Sequence, residues 1–346
     1  MSGKPFIVAL SGDIYDSDGK PKFSDLGLDQ FEGQGHIQLG ATLENRPEIG
    51  PDQIGDIQGL ILLAPCITGK TLLQADELLV ISRFGVGYDT VDVEACTRAD
   101  VVLLITRGAV DRPVAEATVG WMIALSHHMR QKDILVRNGQ WDQRTHFMGC
   151  ELRDRTLGII GLGGIGRAVI GLLQGFGMNQ PLAFDPIVDP NAAAKLGVRL
   201  VELDELMKNA DFVSIHCPHN DATHNLIGAR QIKMMKPDAY LLNTARGGIV
   251  DEDALYNALK QKRIAGAALD CFIAEPITSP HRFGELDNVI LAPHSIAWTH
   301  ELFRDMGHTA CQGIVELSLG RKPNGVVNHE VFDRKSFQDK WARLCT

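Results

Sequence analysis

Three residues of this chain carry side chains able to hold an anion or move a proton, and each stands just past a short apolar run. Arg246 follows Leu241-Leu242-Asn243-Thr244-Ala245, Glu275 lies shortly past Ala267-Ala268-Leu269-Asp270, and His294 follows Val289-Ile290-Leu291-Ala292-Pro293. An arginine can grip a carboxylate through two parallel hydrogen bonds. A histidine paired with a glutamate can exchange a proton near neutral pH. If the apolar runs are strands of one open α/β sheet, all three residues occupy the carboxyl edge, where such sheets bind ligands. Position alone leaves plainer readings open: a surface cation, a loop charge and a satisfied loop histidine.

The same edge would carry Gly161-Leu162-Gly163-Gly164-Ile165-Gly166, a match to G-x-G-x-x-G. With 35 glycines among 346 residues the pattern is weak by itself, and its setting decides its meaning. It follows the apolar run Leu157-Gly158-Ile159-Ile160 and opens the helical run Arg167-Ala168-Val169-Ile170-Gly171-Leu172-Leu173. The next apolar run, Leu182-Ala183-Phe184, delivers Asp185 nineteen residues after Gly166. Gly161 permits the tight turn, Gly163 lets backbone approach a pyrophosphate, and Gly166 allows close packing of helix on strand. The helix N-terminus presents unpaired N–H groups to the phosphates. Asp185 can accept hydrogen bonds from both adenine-ribose hydroxyls and would repel a 2′-phosphate, which points to NAD rather than NADP.

The elements that must position these residues form two series. Phe6–Leu10, Gly59–Leu63, Leu78–Ser82 and Val101–Thr106 read as buried strands separated by helical stretches, the signature of parallel β-α-β units. A long, largely buried helix is expected over Val114–Arg130, leading out of the first domain. Six further strands then begin at Leu157, Leu182, Phe212, Tyr240, Ala265 and Val289. From about Trp298 the remaining chain is too short for a domain and is expected to pack back on the first. The expected class is α/β, with two doubly wound parallel-sheet domains. A Rossmann cofactor domain, residues 111–298, is inserted into a flavodoxin-like substrate domain, residues 1–110 and 299–346.

Size and composition agree with this plan. A chain of 346 residues with 45% hydrophobic and 22% charged residues suits two globular cores and excludes a mostly disordered protein. Formal net charge is -9 with no basic run, which argues against a nucleic-acid partner. The seven cysteines are scattered without a C-x-x-C pair, as expected for free thiols in a reducing compartment. The apolar run before Ser11 is too short for a secretory signal, and no stretch is long enough to span a bilayer, so a cytoplasmic protein without a membrane partner is expected.

Taken in order, Phe84-Gly85-Val86-Gly87-Tyr88-Asp89, Gly161 to Gly166, Asn243-Thr244-Ala245-Arg246-Gly247, Asp270-Cys271-Phe272 with Glu275-Pro276, and Pro293-His294 resemble the D-isomer-specific 2-hydroxyacid dehydrogenases. The resemblance runs from about Gly59 to Asn328. It implies hydride transfer between NAD and C2 of a 2-hydroxy or 2-oxo acid. Arg246 would bind the substrate carboxylate and polarise its carbonyl, and His294 would be the acid in reduction and the base in oxidation. Glu275 would orient the imidazole and favour its protonated form. Backbone N–H groups at Gly85, Val86 and Gly87 would receive the carboxylate, with Arg83 a further substrate cation. Asp270 would meet the nicotinamide carboxamide, and Val86, Gly164, Ile165, Cys217, Pro218, Thr244, Ala245 and His294 would line the rest of the cofactor. The cleft would lie between the domains, whose closure expels water.

Departures from the family pattern narrow the substrate. In 3-phosphoglycerate dehydrogenases an arginine that helps grip the phosphate falls where this chain has Leu63. Arg83 alone is a weak clamp for a dianion. Formate dehydrogenases carry glutamine at the position of Glu275. The chain stops at Thr346, which leaves no expected room for an appended regulatory domain. The resemblance also implies a homodimer, with Arg137 to Gly149 as an exchanged arm. Competing readings are an NAD-sensing protein like the corepressors that share this fold, and a relative acting on an unusual oxyanion such as phosphite. No metal is expected: neighbouring strand residues in His216-Cys217-Pro218-His219 point to opposite faces. His127-His128 are expected at a helix end or an interface. Trp141, Trp298 and His300 fit a substrate pocket or a subunit contact equally well.

Overall fold

The computed structural model describes residues 4–345 and divides into two compact units, the chain up to Val110 together with that from Trp298, and Asp111–Ala297. In the first unit, four largely buried aliphatic runs and one exposed edge strand form five parallel strands among the described residues: β1 (Phe6–Leu10), β2 (Ile37–Leu39, the exposed edge), β3 (Gly59–Leu62), β4 (Val80–Arg83) and β5 (Val102–Ile105). Their order, β2-β1-β3-β4-β5, is that of flavodoxin-like sheets. One face packs Ala9, Leu60, Leu62, Ile81 and Leu103 against Ile49, Ile54, Leu78 and Cys96. On the other lies the long helix His300–Ser318, whose Ala310 carbonyl accepts from Ser82 Oγ at 3.1 Å. Val327 N–H donates to Leu103 O, and Lys340 Nζ donates to the carbonyls of Ala75, Ala99 and Asp100, so the returning chain is tied to this unit by backbone.

The second unit holds seven parallel strands: β6 (Leu157–Ile160), β7 (Leu182–Phe184), β8 (Arg199–Leu200), β9 (Phe212–Ile215), β10 (Tyr240–Asn243), β11 (Gly266–Leu269) and β12 (Val289–Leu291). The order β12-β11-β10-β9-β6-β7-β8 reverses between β6 and β9, the Rossmann arrangement with one added edge strand. Two apolar layers cover its faces. Val213, Ile215, Leu241, Ala267 and Leu269 face one, while Ile159, Phe212, Leu242 and Ala268 meet Ala115, Val119 and Met122 of the helix Asp111–Ser126 on the other. All seven cysteines are free thiols. Among the described residues no helix is long and apolar enough to cross a membrane.

Two expectations change. The two edge strands β2 and β8 join the sheets, because three and two residues of partly exposed chain carry too little periodicity to announce themselves. The single helix expected over Val114–Arg130 is two, Asp111–Ser126 and Met129–Arg137. The break has a distant cause: Cys150 N–H takes the Ser126 carbonyl, and His128 turns the chain in the left-handed region at φ 51°. His127-His128 therefore sit at a junction between helices.

Candidate active site

Register decides what meets what at the carboxyl edge of the second sheet. Ile160 pairs with Ile215, Ile215 with Asn243, Asn243 with Leu269 and Leu269 with Leu291, so five strands end on one row. The next residues of the chain, Gly161, His216, Thr244, Asp270 and Ala292, start the loops. Arg246, Glu275 and His294 therefore leave neighbouring strands on the same edge as the glycine-rich turn.

Within those loops the side chains are wired closely. His294 Nδ1 lies 2.7 Å from Glu275 Oε2, and the other oxygen, Oε1, accepts from Phe272 N–H at 2.8 Å. His294 holds a left-handed backbone, φ 52°, a region few non-glycine residues adopt although histidine is enriched there. Asp270 fixes it: its carbonyl accepts His294 N–H at 2.8 Å, and its buried carboxylate accepts from Ser295 and Ile296 N–H. Asn243, 2% exposed, accepts from Ala245 N–H and donates to Arg246 O, which folds the loop that presents Arg246. The guanidinium donates to Ala245 O at 2.7 Å, and Cys271 Sγ donates to the same carbonyl. Gly247 is where the two loops touch: a Cβ there would stand 2.0 Å from Phe272 O and 2.5 Å from Ile273 N.

The glycine-rich turn has the geometry its spacing implies. Gly161 has φ +93°, and a Cβ would lie 2.7 Å from Cys217 N, so the turn passes directly against the end of β9. A Cβ at Gly166 would stand 2.5 Å from Gly161 O, which brings helix Gly164–Leu173 onto the turn. At Gly163 the same atom meets nothing within 4 Å. The first hydrogen bond of this helix runs from Arg167 N–H to Gly163 O, leaving the N–H groups before it without a partner in the helix. Asp185 Oδ2 accepts from Leu162 N–H at 2.8 Å and Oδ1 from Ile187 and Val188 N–H. A carboxylate offers about four acceptor sites, so one remains, on Oδ2.

Residues 119–295 match the family model for the D-isomer specific 2-hydroxyacid dehydrogenase, NAD binding domain, more than half of the chain. The chain belongs to this family. It is 36% identical over 312 residues to a glyoxylate reductase of Korarchaeum cryptofilum, covering 88% of this chain and 93% of that one. It is 38% identical over 298 residues to a D-3-phosphoglycerate dehydrogenase of Methanocaldococcus jannaschii, covering 86% of this chain but only 56% of that relative's length. A solved glyoxylate reductase from Paecilomyes thermophila superposes with a TM-score of 0.80 at 25% identity, over 94% of this chain and 99% of that one.

As a family member the chain takes NAD in its second unit, and the local chemistry fits that group. The open space at Gly163 and the first-turn N–H groups of a ten-residue helix, which have no partner within the helix, suit a pyrophosphate. Thr244 Oγ1 and His216 Nδ1, both on the row that follows the strand ends, are buried polar atoms without a hydrogen-bond partner. Cys217 and Pro218 follow in the same loop, where burial pushes the Cys217 thiol up to about 11. Burial opposes ionisation of Glu275, but the hydrogen bonds from His294 and Phe272 and the charges of His294 and Arg246 outweigh it and hold the carboxyl below its usual range. Burial raises Asp270, against the pull of the Ser295 and Ile296 N–H groups. In the first unit, Arg83 ends β4 and donates to Phe84 O, and Gly85, at φ +142°, passes its carbonyl to Thr106 N–H at 3.0 Å. Val86 and Gly87 continue that turn.

The strand placement expected for His216-Cys217-Pro218-His219 does not hold: β9 ends at Ile215, so all four residues lie in the loop after it, where alternation of faces does not apply. His216 Nε2 pairs with Ser214 Oγ at 2.8 Å, whereas His219 Nε2 lies 3.2 Å from His224 Nδ1. Sequence reasoning passed over Asn243, Gly247 and Cys271 as individual actors. Only a buried-looking asparagine closing an apolar strand hinted at the first.

His216 carries a pH prediction. Burial of the ring lowers its pKa to about 3, so it stays neutral in the folded protein and charges near 6.5 once unfolded. Its contribution is therefore complete above about pH 6.5 and is lost as pH falls towards 3, by at most about 1.4 kcal/mol per pH unit. Urea midpoints measured between pH 7 and 4 should fall more steeply for the wild type than for His216→Asn. Equal slopes would remove His216 from the acid response.

Proposed function

We propose that this chain reduces short 2-oxo acids to D-2-hydroxy acids with NADH, and runs the reverse oxidation with NAD. The observation that carries the reading is the Glu275–His294 pair at 2.7 Å, on the strand-end row that also carries Arg246 and the glycine-rich turn. When bound, the nicotinamide supplies or takes the hydride. Arg246 holds the substrate carboxylate and draws charge from the carbonyl oxygen. His294, with Nδ1 on Glu275, keeps Nε2 for the substrate oxygen and delivers a proton there in reduction. Glu275, ionised below the usual range, stabilises the imidazolium that must form before each delivery. By the family resemblance, the N–H groups at Gly85, Val86 and Gly87 and the cation of Arg83 would be further partners of the substrate carboxylate.

Gly161, Gly163, Gly164, Ile165 and Gly166 would hold the pyrophosphate and Asp185 the adenine ribose. Thr244, Ala245, Cys217, Pro218, Asp270 and Val86 would line the rest. Leu63 supports an unphosphorylated acid of the glyoxylate or hydroxypyruvate kind over a phosphorylated one. A homodimer belongs to the same proposal: Trp141 and Met148 are exposed at 64% and 80% on the arm Arg137 to Gly149 that would be exchanged, and a solution mass of two chains is expected.

The test is loss of NADH absorbance across glyoxylate, hydroxypyruvate, phosphohydroxypyruvate and longer or branched 2-oxo acids, repeated with NADPH. We expect turnover on a short unphosphorylated acid, faster with NADH. NADH binding with turnover on none of them would overturn the reading in favour of a sensor or an unusual oxyanion.

A further inference from the structure

One donor set in the second unit exceeds what acid/base work needs. Cys271 Sγ, a Glu275 carboxylate oxygen and a His294 ring nitrogen lie within 4.8 Å of one another. Cys271 is two residues past the end of β11, in the loop that carries Glu275, and His294 leaves the adjoining β12. Thiol, imidazole and carboxylate together suit Zn²⁺ and its thiophilic neighbours, whereas Mg²⁺ and Ca²⁺ favour sets made only of oxygen. We propose that Cys271, Glu275 and His294 bind a thiophilic divalent cation, and that filling this site stops turnover by occupying the acid/base pair. The inhibition rests on the functional reading above; the binding does not.

The distances are within reach of small movements. A tetrahedral zinc with bonds of about 2.0–2.3 Å needs its donors roughly 3.3–3.8 Å apart. His294 Nδ1 and Glu275 Oε2, now 2.7 Å apart across a shared proton, open by roughly half an ångström when a cation replaces that proton. Cys271 approaches by about an ångström at most and gives up only its contact with Ala245 O at 3.3 Å. The fixed parts stay fixed, since Glu275 Oε1 keeps Phe272 N–H and His294 N–H keeps Asp270 O. The fourth position faces outward, because the side chains of His294 and Glu275 are 45% and 32% exposed. The thiol proton leaves to solvent and the Nδ1 proton of a neutral imidazole moves to Nε2, so thiolate and carboxylate balance the two positive charges. With Glu275 and Nδ1 engaged, the pair no longer takes up and hands on a proton.

Cobalt(II) reads the site directly, because a thiolate ligand adds a charge-transfer band in the near ultraviolet. Titration of the purified chain, without cofactor, should give that band in the wild type and in His308→Ala, and not in Cys271→Ala. The control matters because Asp25, Asp29 and His308 of the first unit also lie within 4.8 Å but bring no sulfur. Zn²⁺ should then inhibit NADH-dependent turnover reversibly, with chelator restoring it. Cys271→Ala, normalised to its own cation-free rate, should need at least roughly tenfold more Zn²⁺ for half inhibition. Cys271→Val serves where alanine leaves the fold unstable by circular dichroism. A band that survives without Cys271, no band at all, or equal inhibition of wild type and variant would overturn the site. A Cys271-dependent band in a chain that reduces no 2-oxo acid would uphold the site and count against the reading of its function.

Discussion

Replacing His294 with alanine should lower kcat for NADH-dependent reduction about 10³-fold, within the range that a positioned acid/base group supplies. The imidazole is set for this by the contact of Nδ1 with Glu275, by the His294 backbone N–H on Asp270 O, and by the adjoining Ser295 and Ile296 N–H groups on the Asp270 carboxylate. The left-handed backbone at φ 52° shows that the surroundings impose the conformation on this residue. Glu275→Gln keeps an acceptor for Nδ1–H but removes the charge that stabilises the imidazolium, so its loss should be smaller. Steady-state kinetics on the best substrate, with NADH binding followed separately by fluorescence, gives both numbers. A His294→Ala enzyme within about tenfold of wild type would mean that another group moves the proton.

Gly247→Ala should be nearly as damaging although Gly247 carries no chemistry. The added Cβ would stand 2.0 Å from Phe272 O and 2.1 Å from Phe272 C, with backbone rather than a flexible side chain in the way. The loop bearing Arg246 and the loop bearing Glu275 must then part. Phe272 N–H is itself a ligand of the Glu275 carboxylate, so the displacement passes straight to the acid/base pair. Misplacement of about 1 Å costs on the order of 10²-fold in rate, and we expect a fall in kcat of that size together with a lower thermal midpoint. Unchanged kcat in a folded Gly247→Ala protein would show that the loops move independently and that their contact does not set the geometry.

The strands and the cofactor turn were legible in the sequence because the information is local. An aliphatic run closed by glycine or a polar residue announces a buried strand, and G-x-G-x-x-G between such a run and a helical pattern announces the turn. Edge strands of two or three residues, Arg199–Leu200 and Ile37–Leu39, carry no such signal. The break at His128 depends on Cys150, which is far along the chain and takes the Ser126 carbonyl. The site divides in the same way. Arg246, Glu275 and His294 could be picked out by type and by their place after apolar runs. The row of strand ends that unites them is a matter of register, which no single segment specifies. Gly247 against Phe272 and Cys271 beside Glu275 and His294 follow from that register, so they emerge only with the fold.

The central claim, that this chain moves a hydride to C2 while His294 supplies the proton, is tested most directly with NADH deuterated at the transferring position of nicotinamide C4 and the best 2-oxo acid from the panel. Deuterium should appear at C2 of a product of D configuration, with His294→Ala slowing its appearance about 10³-fold. Product without deuterium at C2, product of L configuration, or a variant as fast as wild type would contradict the account.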